Sequence, residues 1–185
     1  MGLTVFLWAS AFLGNKLGLT YFTPGELALL RYAIASFVLL LISIYKKIRF
    51  PEIKDLIMIF ACGFLGISIY NLLLYYGQLT VMPGTASLLV NTAPIFTTLL
   101  SVILLKEKVS EWGWLSLFIS FTGVILIVLG QKNGIQLDTG ALLILGAAIT
   151  FSLYFIIQKP LLLKYNGLEV TTYSIWAGTI LLLPY

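Results

Sequence analysis

Charged positions along the chain fall in short groups, and between them run apolar stretches of about twenty residues, the length a helix needs to cross roughly 30 Å of hydrocarbon. The pattern predicts seven membrane-spanning helices over 3–21, 25–45, 55–77, 84–105, 112–130, 139–158 and 169–185. Membrane strands would alternate lipid-facing and polar residues over about ten positions, and these runs are too long and too evenly apolar for that. The breaks carry turn chemistry. Thr23-Pro24-Gly25 and Met82-Pro83-Gly84 each read as a turn followed by a helix start, and Ser110 can cap the fifth span with Glu111 in its first turn.

Loop charge gives an orientation. Lys46, Lys47, Arg49 and Lys54 lie in 46–54, Lys106 and Lys108 in 106–111, and Lys159 and Lys164 in 159–168. The alternate connections hold only Lys132, in 131–138. The positive-inside rule therefore predicts these basic loops and the N-terminus on the cytoplasmic side of the cell membrane. Composition agrees: 60% of the 185 residues are hydrophobic and 10% charged, too few to cover a soluble domain. The net charge of +4 then reflects topology and not a nucleic-acid partner; the lipid bilayer is the expected surround. Cys62 is the only cysteine and histidine is absent, so no cysteine or histidine metal cluster can form, and neither metal nor cofactor is expected. Ala9-Ser10-Ala11 resembles a cleavage box, but no basic region precedes it and the apolar pattern continues beyond, so the first run is read as a span.

Sliding the start of the chain by 143 positions brings Lys16 onto Lys159, Glu26 onto Glu169, Trp8 onto Phe151 and Asn15 onto Gln158. A unit of five spans, an odd number, must be followed by a second unit of opposite orientation, an inverted-topology repeat. The expected fold is thus an all-α transmembrane bundle. Residues 1–137 would form one five-helix repeat, and 138–185 the first two helices of a second, inverted and incomplete one.

Three stretches carry a family resemblance. The first is Leu7-Trp8-Ala9-Ser10 with Lys16-Leu17-Gly18-Leu19, Pro24 and Leu29-Leu30-Arg31-Tyr32. The second runs from Tyr75-Tyr76-Gly77-Gln78 through Ala86-Ser87-Leu88-Leu89 and Pro94-Ile95-Phe96-Thr97 to Lys106-Glu107-Lys108-Val109-Ser110. The third is Phe151-Ser152-Leu153-Tyr154 with Leu168-Glu169-Val170 and Gly178-Thr179-Ile180. Together they resemble the drug/metabolite transporter superfamily in its EamA-like branch. The resemblance implies ten helices in two inverted repeats, and export or exchange of small metabolites such as amino acids. Lys106 stands where that pattern has glycine before Glu107, and counterparts of helices eight to ten are absent, so the chain looks truncated.

Arg31 is the most informative candidate, about 9 Å into the second span. A charge at that depth needs a cavity or a partner. It suits a substrate carboxylate, which guanidinium binds bidentately, and equally a fixed partner such as Glu26 or helix-end carbonyls. Lys16 and Glu26 are expected near the outer ends of the first two spans, as a salt bridge or a gate. Polar stripes at helical spacing comprise Ser68, Asn71, Tyr75 and Gln78; Ser87, Asn91, Pro94 and Thr98; Thr150, Tyr154 and Gln158; and Trp8 with Asn15. They either line a shared wet cavity or glue helices together. Pro94 can free a backbone carbonyl in the fourth span. Gly113, Ser116, Ser120 and Gly123 form a small-residue ridge for close packing, within the protein or between copies of it in a homo-oligomer. Enzyme motifs are missing. The expectation is a carrier of small polar metabolites, with Arg31, Trp8, Asn15, Asn71, Tyr75, Asn91 and Tyr154 at the substrate; the alternative is a non-transporting membrane scaffold.

Overall fold

The computed structural model describes residues 2–130 and 139–185. Lys132 and the expected repeat boundary at 137/138 lie outside the described residues. Among the described residues seven helices form: α1 Gly2–Gly18, α2 Pro24–Lys46, α3 Ile53–Thr80, α4 Pro83–Leu104, α5 Glu111–Gly130, α6 Thr139–Leu162 and α7 Gly167–Leu182. No strand forms among the described residues. By length and composition α2, α3, α4 and α6 can each cross a membrane. The remaining helices are shorter or only partly described.

Two helix starts are built the same way. At α2 the Thr23 amide donates to Glu26 Oε2 at 2.8 Å, while the Glu26 amide donates to Thr23 Oγ1 at 3.4 Å. At α7 the Asn166 amide donates to Glu169 Oε2 at 3.0 Å and the Glu169 amide to Asn166 Oδ1 at 2.9 Å. Each is a capping box that satisfies backbone donors left over by the first helical turn. Two long helices are interrupted. Residues Phe64–Ile69 of α3 are π-helical, and α4 breaks at Asn91–Thr92. Pro94 lies just inside the second half of α4 and has no N–H, so the Val90 carbonyl loses its usual donor, as the sequence suggested.

Contacts give the helix directions. α1 and α3 run together, with Lys16 Nζ donating to the Gln78 carbonyl at 2.6 Å and Gln78 Nε2 to the Phe12 carbonyl at 3.4 Å. α6 runs against α3: Gly140 and Ile144 lie beside Gly77, and Leu161 packs with Ile59 and Cys62. α7 opposes α2, since Gly25 abuts Tyr185 at one end and the Arg49 amide donates to Glu169 at 3.0 Å at the other. One end of the bundle is basic. There Lys164 pairs with Asp55 at 2.9 Å, Tyr165 donates to the same carboxylate, Glu52 pairs with Lys54, and Lys159 pairs with Glu107. The Lys159 hydrogen bonds hold the Glu107 carboxyl below its ordinary pKa. Lys16 lies at the opposite end, donating also to the Leu79 carbonyl at 3.1 Å. A cation is well placed at the C-terminal end of α3.

The small-residue ridge does not mediate packing among the described residues. Ser116 and Ser120 are exposed, a Cβ on Gly123 would meet nothing within 4 Å, and one on Gly113 would meet mainly Val109, its own neighbour in sequence. The close helix crossing is elsewhere. A Cβ on Gly63 would lie 2.6 Å from the Gly178 amide nitrogen, and one on Gly178 2.4 Å from Ile67 Cβ. Both clashes involve parts that cannot swing away. Gly63→Ala should therefore push α3 from α7 and lower stability by roughly 1–3 kcal/mol, as overpacking does. Gly123→Ala should be neutral or slightly stabilising. Thermal unfolding in detergent checks the contrast; equal melting temperatures for the two variants would contradict the crossing.

Candidate substrate site

A cavity of about 520 Å³ opens between α1, α2, α3 and α6. The π-helical segment of α3 borders it through Gly66 and Ile67. There Gly66 lets the helix approach Tyr154, whose ring lies 2.5 Å from where a Cβ would stand. A one-residue swelling of a helix shifts the side chains that follow it, and such segments recur at functional sites.

Among the described residues Arg31 is the one charged side chain lining this cavity. Its Nη1 donates to Asn15 Oδ1 at 2.6 Å and to the Tyr75 hydroxyl, with the guanidinium carbon 5.8 Å from the Tyr75 ring centroid. Asn15 is 5% exposed and Tyr75 fully buried, so the two clamps come from the packed interior of α1 and α3. Among the described residues nothing accepts from Nε or Nη2. Neither Glu26 nor a helix-end carbonyl serves as the partner of Arg31. Deeper in, Asn71 Nδ2 donates to the Ile67 carbonyl at 2.7 Å and to the Tyr32 hydroxyl at 2.9 Å.

The opposite wall is aromatic. Phe151 of α6 stacks on Tyr70 at 4.7 Å between centroids, meets Phe155 edge-on at 4.6 Å, and lies 6.4 Å from Trp8. Tyr154 and Phe155 pack at 5.5 Å. Trp8, Phe151 and Phe155 also line a second, more apolar cavity of about 440 Å³ on the α4 side, where Asn91, Pro94, Thr97 and Thr98 sit at the helix break.

The candidates therefore separate. Trp8, Asn15, Arg31, Asn71 and Tyr154 share the first cavity. Tyr75 touches it only through its bond to Arg31, and Asn91 belongs to the second cavity. Pro94 and Thr98 join Asn91 at the second cavity, whereas Ser68, Thr150 and Gln78 serve mainly packing. Ser68 donates to the Gly178 carbonyl at 3.0 Å, Thr150 to its own helix at Ala147, and Gln78 to Phe12. Lys16 and Glu26 do not pair with each other: Lys16 caps α3, and Glu26 is consumed by the capping box. A carboxylate three residues after a capping threonine has a shorter reach to its own backbone than to a neighbouring helix. The sequence reading passed over Tyr32, Tyr70, Phe151 and Phe155. Phe151, Tyr154 and Phe155 do follow helical i, i+3, i+4 spacing, but so do ordinary core aromatics.

Comparisons with known proteins agree on one family. The EamA-like transporter family model matches residues 1–129. An uncharacterized transporter, YdfC, of Bacillus subtilis (strain 168) is 44% identical over 99% of this chain and 60% of its own length. A probable terminal-alkyne amino-acid exporter of Streptantibioticus cattleyicolor is 40% identical over 98% of this chain and 61% of its own length. An uncharacterized transporter of Archaeoglobus fulgidus is 33% identical over all of this chain and 65% of its own. The chain thus spans about 60–65% of the length of these relatives. No solved structure matches it.

Proposed function

The chain belongs to the EamA-like transporter family of multi-pass membrane proteins, and from that premise we propose that its Arg31 cavity is the substrate site of a secondary carrier for small polar metabolites bearing a carboxylate, such as amino acids. The observation that carries this reading is the free edge of Arg31. Two neutral groups hold the guanidinium by Nη1, Arg31 lines the cavity, and among the described residues neither Nε nor Nη2 has an acceptor. That edge is the fork that binds a carboxylate through two parallel hydrogen bonds. A cavity of about 520 Å³ also falls within the range of small-molecule sites. A relative 40% identical is named as a probable exporter of terminal-alkyne amino acids, which supports the same ligand class.

Transport would proceed by alternating access between inverted halves in the complete carrier. Two contacts support that symmetry. Ser36 Oγ lies 2.8 Å from Thr179 Oγ1, and Trp8 lies against Phe151; both pairs are 143 positions apart, as residues flanking a pseudo-twofold axis would be. The basic end of the bundle is the proposed cytoplasmic face of the cell membrane, which puts the N-terminus inside.

Orientation is checked with single cysteines in a Cys62→Ser background. Tyr21→Cys should react with an impermeant thiol reagent in intact cells, and Lys54→Cys should not; the reverse pattern would invert the assignment. The site is checked with purified chain in proteoliposomes, by amino-acid binding and transport beside thermal stability. Arg31→Ala should weaken binding about 10- to 150-fold, the worth of a charge-assisted hydrogen bond of about 1.5–3 kcal/mol. Its melting temperature should change little, because Asn15 and Tyr75 converge on one nitrogen and can bond to each other once it is gone. Arg31→Lys should stay impaired, having lost the fork. Normal transport in Arg31→Lys with a collapsed melting temperature in Arg31→Ala would contradict the reading. Arg31-dependent binding without transport would favour the non-transporting scaffold.

A further inference from the structure

We propose that Asn71 Oδ1 is the acceptor for the ligand's amino group, so that the site selects α-amino carboxylates over carboxylates lacking the amine; this rests on the carboxylate reading of Arg31. Asn71 is only 3% exposed, yet it lines the cavity. Its amide orientation is fixed by chemistry. The Ile67 carbonyl can only accept, so the atom 2.7 Å from it must be the amide nitrogen. The second N–H of that nitrogen is spent on the Tyr32 hydroxyl at 2.9 Å. Oδ1 is thereby turned away from both and has no donor among the described residues. Among the described residues the fully buried side-chain atoms without a partner are Gln78 Oε1 and Ser174 Oγ, and Asn71 Oδ1 is not one of them. An acceptor of fixed orientation, with no donor among the described residues, therefore sits on a side chain that lines the void Arg31 shares.

Charge complements this arrangement. Among the described residues the cavity lining holds one guanidinium and no carboxylate. A lone cation gains nothing there, whereas a zwitterion brings its own anion to Arg31 and needs only a neutral acceptor for its ammonium. A simple carboxylate would fill the Arg31 edge and leave Asn71 Oδ1 unpaired and partly desolvated, which is how a hydrogen-bonding site rejects an analogue that lacks the donor. The rival for the ammonium is the aromatic wall, through its ring faces. That rival predicts the opposite response to methylation, since a trimethylated nitrogen has no N–H but keeps its charge.

The test is equilibrium binding to the full chain in lipid nanodiscs. The probes are three matched pairs: alanine and propanoate, norvaline and pentanoate, phenylalanine and 3-phenylpropanoate. In the wild type the amino acid of a bound pair should bind at least about tenfold more tightly than its partner, and its N,N,N-trimethyl form should lose most of that advantage. Asn71→Leu should bring the pair within about threefold, while the affinity of the partner lacking the amine is kept. Should Asn71→Leu fail to fold, the wild-type comparison of free and trimethylated amine decides alone. Equal binding within a pair, a trimethylated form as tight as its parent, or a tenfold ratio retained in folded Asn71→Leu would each overturn the proposal while leaving the role of Arg31 intact. If no member of any pair binds, the carboxylate reading falls and this proposal with it.

Discussion

A guanidinium set about six residues into an apolar helix cannot be left bare, and the way Arg31 is satisfied sets the polar geometry of the cavity it lines. An unpaired charge among apolar spans costs far more than any single packing contact returns. The chain answers with two neutral acceptors on two other helices, Asn15 on α1 and Tyr75 on α3, both meeting the same nitrogen. Three helices are drawn to one point. Neutral partners matter here, because a carboxylate in their place would neutralise Arg31 and close its open edge. The charge is thus partly satisfied by neutral groups, and on the proposed reading its remaining donors are left for a ligand.

Beside that clamp the helices depart from regular geometry where the cavity needs room. The π-helical segment of α3 carries Gly66 and Ile67 to its rim, and Gly66 admits the ring of Tyr154. The carbonyl of Ile67 orients Asn71, which in turn holds Tyr32, the sequence neighbour of Arg31. On the far wall, Trp8, Phe151 and Phe155 stand between this cavity and the one beside the break in α4. Polar recognition and apolar volume are therefore adjacent, separated by aromatic side chains that belong to both.

Much of this was legible in the sequence, for identifiable reasons. The seven described helices followed from hydropathy, because hydrocarbon thickness fixes helix length, and four of them are long and apolar enough to cross a membrane. Arg31 stood out since so few charges interrupt the spans. Asn71, Trp8, Asn15 and Tyr154 were found by spacing. Spacing alone did not separate Asn71, which borders the cavity, from Ser68 and Gln78 on the same face, which bond to α7 and α1. That difference depends on which neighbour each position meets, information a single helix does not contain. The supposed pairing of Lys16 with Glu26 failed for a local reason that could have been read. Thr23 followed three residues later by Glu26 is a capping box, and Asn166 with Glu169 repeats it. The interruption at Phe64–Ile69 has no sequence signal of that kind.

The central claim, that Arg31 is held by one nitrogen and binds carboxylate with its remaining edge, is open to direct observation. Arg31 and Arg49 are the two arginines of the chain, so nitrogen-15 labelling of arginine yields two guanidinium groups, and an Arg49→Lys variant assigns them. Guanidinium spectra recorded while an amino acid is titrated into the protein in nanodiscs would show the site at work. The account predicts saturable shifts of the Arg31 Nε and Nη2 signals, with Arg49 unmoved. Arg31 signals that stay fixed through the titration, or that shift no more than those of Arg49, would contradict it.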